Sequence, residues 1–175
     1  MNLTLKVGAA VICAAGIAAA QSPAAKESVT IGGKTISITY NSPRVNGRAG
    51  QLFGKTGRIA SDPNYPIWRA GANSATKFHT DADLDIGGLA VPKGDYTLYV
   101  DLSDPGNWQL VINKKTGQWG LTYDQPQDVG RVKMTTMKAD LAENLKYTLA
   151  EKGGSKGLLT LAWENVSASV PFTVK

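Results

Sequence analysis

The residues best equipped for chemistry in this chain are arginines set among aromatic and glycine residues. Arg44 and Arg48 stand one helical turn's spacing apart in a stretch broken by Pro43 and Gly47. Arg69 follows Trp68 in the string Trp68-Arg69-Ala70-Gly71-Ala72-Asn73. A guanidinium fork grips carboxylate or phosphate oxygens in pairs. Arg44, Arg48, Arg69 and Asn73, with Trp68 beside them, are therefore a candidate anion site, and Gly71 would let backbone approach a ligand closely. An architectural role competes with this one. An arginine beside a tryptophan can stack on it and tie loops to carbonyl oxygens or to Asp124 and Asp128.

A second set is His79, Asp81, Asp83 and Asp85, which alternate with Thr80, Ala82, Leu84 and Ile86. Strict alternation would place all four on one strand face, where imidazole and carboxylates can hold a divalent metal. Asp81, Asp83 and Asp85 also resemble the opening of a calcium loop. The rest of that pattern fails, with Ile86 where a glycine belongs and Pro92 where a bidentate glutamate belongs. A solvated strand face has the same spacing. The third set is aromatic: Trp108, Trp119 and Tyr123 flank Asn113 and Gln118, a combination able to stack on sugar rings and reach their hydroxyls. Trp108 opens an apolar alternation and is expected in the core, which leaves Trp119, after a turn, as the surface residue. There is no Gly-x-Ser-x-Gly, no His-Glu-x-x-His and no phosphate-loop glycine pattern. A Ser-His-Asp triad would have to use His79, the single histidine. No cofactor signature is present.

The elements that must position these groups are short strands. The 19 glycines and 8 prolines of the 175 residues favour many turns over long helices. Lys6 and the uncharged run Val7 to Ala20, ending in Ala18-Ala19-Ala20, read as an export signal cleaved near Ala20, with Gln21 first in the mature chain. The run is too short for a comfortable membrane span. The only cysteine, Cys13, lies within it behind Ile12, a poor setting for lipidation. The mature chain then has no thiol, and disulfides, zinc-thiolate sites and cysteine nucleophiles are excluded. Without Lys6 the chain carries 18 basic and 14 acidic residues, a mild excess with no long like-charge run. That gives nucleic acid or a membrane surface little support as partner.

Residues 21–27 read as a flexible mature N-terminus and 28–175 as one β-rich domain. Val29 and Ile31, Gly32-Gly33-Lys34, then Ile36, Ile38 and Tyr40 spell a hairpin. Tyr96, Leu98, Val100 and Leu102 alternate up to the turn Asp104-Pro105-Gly106-Asn107, and Trp108, Leu110 and Ile112 alternate after it. Leu159, Leu161 and Trp163 follow the same period, as do Val170, Phe172 and Val174. Ala139 to Lys152 is contested: Leu141, Leu145 and Leu149 suit a helix capped by Asp140, whereas Leu145, Tyr147 and Leu149 suit a strand turning through Gly153-Gly154. The strand is preferred because pairing overrides propensity. Residues 41–74 have no period, and a long irregular stretch in a compact domain is often functional.

Several strings together resemble a known family. They are Ser42-Pro43-Arg44-Val45 with Gly47-Arg48, Ile67-Trp68-Arg69-Ala70-Gly71-Ala72-Asn73 with Ala75-Thr76, and Val91-Pro92-Lys93-Gly94-Asp95-Tyr96-Thr97-Leu98. Trp108 with Ile112-Asn113-Lys114, Gln118-Trp119-Gly120 with Tyr123-Asp124, Asp128 with Arg131-Val132, and Trp163-Glu164-Asn165 with Val170-Pro171 complete them. The chain resembles the secreted bacterial family called domain of unknown function 2911 over nearly its whole mature length. The resemblance implies an extracytoplasmic β-rich domain and no particular activity.

The expected fold is all-β, an antiparallel sandwich or partly closed barrel of about eight to ten strands. The expected function is a periplasmic or extracellular, non-catalytic binding domain for a small anionic or carbohydrate ligand. Arg44, Arg48, Trp68, Arg69, Asn73 and Trp119 are its candidate contacts. A structural or protein-interaction module of the cell envelope is one alternative and an unrecognised hydrolase the other.

Overall fold

The computed structural model describes residues 21–175; the expected export signal and Cys13 lie outside the described residues. Eleven strands run through these residues, with two single 3-10 turns, Arg58–Ser61 and Gln125–Gln127. In chain order the strands are β1 Ala24–Ile31, β2 Lys34–Asn41, β3 Ile67–Trp68, β4 Thr76–Thr80, β5 Leu84–Ile86, β6 Leu89–Val91, β7 Gly94–Asp101, β8 Gln109–Asn113, β9 Asp128–Lys133, β10 Thr135–Glu151 and β11 Lys156–Val174. They form two antiparallel sheets that share one core and do not close on each other. The larger has the order β1-β2-β4-β7-β8-β9, with β3 also on β7; the smaller is β10-β11-β5-β6. The all-β expectation holds. Eleven is one more than the upper end of the expected eight to ten, and β3, β5 and β6, two or three residues each, are too short to announce a period. Among the described residues no helix is long and apolar enough to cross a membrane.

The hairpin β1–β2 turns through Gly32 and Gly33, with φ of 59° and 75°. Both turn residues of this tight two-residue connection need positive φ, which glycine adopts freely. β1 extends further back than the sequence suggests. Ala24 to Glu27 pair with Asn41 to Ile38, so only the first residues of the segment expected to be flexible stand outside the sheet. Even these are held, by Ser42 N–H on the Pro23 carbonyl at 2.8 Å and Asn41 Nδ2 on the Ser22 carbonyl at 3.1 Å. As an edge strand with a polar outer face, this stretch carries the composition of a tail.

In β10, Leu145, Tyr147 and Leu149 are buried between exposed Lys146 and Thr148. The strand reading of this contested segment is the observed one. Register with Leu159 and Leu161 of β11 sets these side chains inward. The Tyr147 ring meets Tyr40 edge-on at 4.9 Å, and the Tyr147 N–H bonds the Tyr40 hydroxyl at 3.2 Å. No helical face would gain this burial, and that outweighs local propensity.

The site owes its position to a break in the larger sheet. β3 pairs with β7 at Trp68↔Val100, and β4 pairs with the same edge of β7 from Thr76↔Leu98. The residues between, 69 to 75, leave the sheet and return to it. Two of them, Ala70 (φ 46°) and Asn73 (φ 58°), sit in the left-handed region that a side chain disfavours. The excursion is held by Thr76 Oγ1 on the Arg69 and Ala70 carbonyls and by the Tyr147 hydroxyl on the Ala70 carbonyl at 2.9 Å.

Candidate functional site

This excursion projects Arg69 into a cleft of about 310 Å³. Arg48 and Arg58 line the cleft with it, above a floor that includes Leu52, Ile59, Trp68 and Trp163. Trp68 and Trp163, both largely buried, stack face to face at 5.7 Å and 11°. Phe53 packs edge-on against both. Trp163 stands next to an irregularity where β10 and β11 shift register, and Glu164 there has φ 54°. The buried Glu164 carboxylate accepts the Gly50 N–H and so fastens the irregular stretch onto β11.

The three arginines are held differently. Arg48 donates from Nε to the Val45 carbonyl at 2.7 Å and from Nη2 to the Arg44 carbonyl at 2.5 Å, which fixes its fork at the cleft edge. Arg69 is half-buried, and its guanidinium has no hydrogen-bond or ion-pair partner among the described residues. Its aliphatic stem lies on Gly120, where an added Cβ would stand 2.6 Å from Arg69 Cδ. Arg58, exposed on its 3-10 turn, likewise has no side-chain partner among the described residues.

The carboxylates that could have tied Arg69 down are engaged elsewhere. Asp128 accepts from Asn113, from the Tyr123 hydroxyl at 2.5 Å and from Arg131 at 3.4 Å. Asp124 pairs with Lys115 at 3.5 Å. Arg131 bridges to the buried Asp101 at 2.6 Å. Burial first, and then the Asp128 carboxylate, push the Tyr123 hydroxyl up to about 12, so it remains a donor in this network.

The other expected contacts fall outside the cleft. Arg44 pairs through its backbone with Asn144 of β10 and through its side chain with Glu143 at 3.6 Å, a joint between the loop and β10. Asn73 contributes a left-handed turn whose carbonyl accepts the Gly120 N–H at 2.9 Å. Gly71 does line the cleft, and a Cβ there would stand 2.8 Å from Thr76 Oγ1. Trp119 is 54% exposed, as expected, and Trp108 is buried. The amides expected beside them face inward: Gln118 Nε2 is shared among Thr97, Tyr99 and Lys115 while its Oε1 is buried without a partner among the described residues, and Asn113 donates to Asp124 and Asp128. Arg58 and Asp62, which do line the cleft, were not singled out in the sequence. Their only signal is that they lie within the irregular residues 41–74.

The expected metal set does not assemble. The chain turns after Thr80, so His79 ends one strand while Asp85 belongs to another, and the single alternating face does not exist. His79 sits between Asp95 at 2.8 Å and Asp81 at 3.0 Å. Asp83 caps the Lys93 N–H and Asp85 the Gly88 N–H, both at 2.8 Å, and Asp85 also pairs with Lys175 at 3.6 Å. No group of three ligating side chains suited to a metal ion occurs among the described residues.

A family profile described as "Protein of unknown function (DUF2911)" matches residues 22–172. No curated protein and no solved structure matches the chain.

Proposed function

The chain belongs to the DUF2911 family, whose description names no activity, and from the chemistry of the cleft we propose that it is an exported, non-catalytic domain that binds a small anionic ligand. The observation that carries this reading is the convergence of Arg48, Arg58 and Arg69 on one cleft, with Arg58 and Arg69 unpaired among the described residues. A half-buried guanidinium with no partner has lost part of its hydration without recovering its hydrogen bonds. An anion supplies them, and the planar fork takes two oxygens at once. The volume is at the small end of ligand sites, which suits a ligand of one ring or less.

The non-catalytic part of the reading rests on the side chains around the cleft. The one histidine is held by Asp81 and Asp95 and does not line it, and among the described residues Asp62 is the single carboxylate that does. Export accounts for the thiol-free mature sequence and its Lys6-led signal. Calorimetric titration of the purified protein with inorganic phosphate and with simple organic acids tests the proposal. Binding that weakens with salt and falls about tenfold in Arg69→Lys supports it. Absence of heat with every anion would defeat it.

A further inference from the structure

The cleft is not a uniformly cationic cup, because Asp62 lines it together with the three arginines. The aspartate is set there by its own turn. Its Oδ1 accepts the Asn64 N–H at 3.0 Å, its carbonyl accepts the Tyr65 N–H at 3.0 Å, and Asn64 Nδ2 donates to the Leu121 carbonyl at 2.6 Å on another wall of the cleft. Oδ2 is left without a partner among the described residues. None of the three arginines forms an ion pair with it; the ion pairs among the described residues lie elsewhere.

A bare anion would gain from the guanidinium groups and be repelled by this carboxylate. A ligand that carries an anionic group and, a few bonds away, a hydroxyl satisfies both. The hydroxyl donates to Asp62 Oδ2, a charge-assisted bond stronger than a neutral one, while the acid group takes the arginine forks. The edges of the stacked Trp68–Trp163 pair and of Leu52 and Ile59 give the cleft a small apolar floor beneath the ligand's carbon skeleton. We infer that the ligand is a hydroxylated organic acid the size of one sugar ring, and that Asp62 sets the preference for hydroxyl over plain carbon. This rests on the anion-binding reading above.

Three probes separate the contributions: glucuronate has charge and hydroxyls, glucose has hydroxyls alone, and cyclohexanecarboxylate has charge and a ring of the same size without hydroxyls. Calorimetry on the whole protein should find glucuronate bound about tenfold or more tighter than either of the others, the worth of one charge-assisted hydrogen bond or its acid counterpart. Asp62→Asn keeps the Oδ1 acceptor for Asn64 and so preserves the turn. It should erase most of the glucuronate advantage over cyclohexanecarboxylate while leaving cyclohexanecarboxylate bound as well or better. Arg69→Lys should weaken both acids together. Equal affinity for the two acids in the unaltered protein, or an equal loss of both in Asp62→Asn, would overturn the hydroxy-acid inference and leave anion binding standing. Failure of both acids to bind would overturn the hydroxy-acid inference, and failure of inorganic phosphate as well would remove anion binding with it. If Asp62→Asn does not fold, the comparison of the three probes on the unaltered protein still decides.

Discussion

Arg69 tests whether the cleft binds or merely packs. Its guanidinium leaves no protein group stranded when altered, and a lysine keeps the stem that lies along Gly120. Arg69→Lys should therefore stay within about 0.5 kcal/mol of the parent in denaturant unfolding without ligand, while anion affinity falls about tenfold for the lost fork. A loss of several kcal/mol in the ligand-free protein would make this arginine architectural instead. Gly120 is the complementary probe. An alanine Cβ would stand 2.6 Å from Arg69 Cδ and 2.7 Å from the Asn73 carbonyl, which already accepts the Gly120 N–H. The Arg69 stem, unpaired among the described residues, can swing aside but the Asn73 backbone cannot, so Gly120→Ala should lose about 1–3 kcal/mol by overpacking and weaken anion binding as Arg69 is displaced. Much of the site was legible at this scale. Arg48, Trp68 and Arg69 were marked by residue type and setting, and they meet. Arg44 and Asn73 carry the same marks but serve β10 and a turn. Which arginine faces the cleft depends on a loop path that has no period. Arg58 and Asp62 were missed for the same reason, since each is a polar residue among glycines and prolines until the chain folds back over the tryptophans.

At the scale of elements, β10 holds the Arg48 loop through Glu143 and Asn144 and the Arg69 loop through one hydroxyl. Fully buried Tyr147 donates to the carbonyl of Ala70, whose left-handed φ sets the direction of Arg69. Tyr147→Phe removes that donor and leaves Ala70 with the weaker contact from Thr76 at 3.2 Å. We expect a stability loss of about 0.5–1.5 kcal/mol in denaturant unfolding, with reduced anion affinity at a residue that does not line the cleft. Unchanged affinity would mean that Thr76 alone fixes the loop. The alternation of Leu145, Tyr147 and Leu149 announced this strand. It could not announce the bond to Ala70, which joins residues far apart in sequence. The same limit explains the metal set, where alternation continued past Thr80 although the chain turned. What that turn builds is a cross-sheet tie: His79 of β4 meets Asp95 of β7, while Asp81 meets His79 and accepts the Thr35 N–H of β2 at 3.0 Å. The hydrogen bond to Asp95, and then that to Asp81, raise the His79 pKa above 6.5. A raised folded value means that the histidine's stabilisation is complete below 6.5 and is lost as the pH rises through the folded value. Asp81 is lowered from 3.8, chiefly by His79, so its share is present above 3.8 and is lost on acidification through its folded value. Both groups are well exposed and the effect is small. His79→Gln should melt below the parent near pH 5–6 and coincide with it at about pH 9. A gap of constant size at all pH values would show that the ring acts by shape alone.

At the scale of the whole molecule, paired structure among the described residues begins close to the expected cleavage point. β1 pairs with β2 along its full length from Ala24, and Ser22 and Pro23 are already held by Asn41 and Ser42. Cleavage after Ala20 leaves that edge strand whole, whereas cleavage a few residues later would strip partners from β2 and open the side of the sandwich next to β10. An export cleavage at Ala18-Ala19-Ala20 is thus compatible with an intact β1. The segment removed would carry the only cysteine, so no disulfide would hold the exported protein and the core that both sheets share is its main support. Two measurements on the exported protein follow from this. Its intact mass should correspond to a chain starting at Gln21, and its melting temperature should be the same with and without reductant. A mature form that retains Met1 would refute the export reading. One that starts beyond Ala24 would break the link between the cleavage site and β1, because the hairpin that begins the larger sheet would then lack its outer strand.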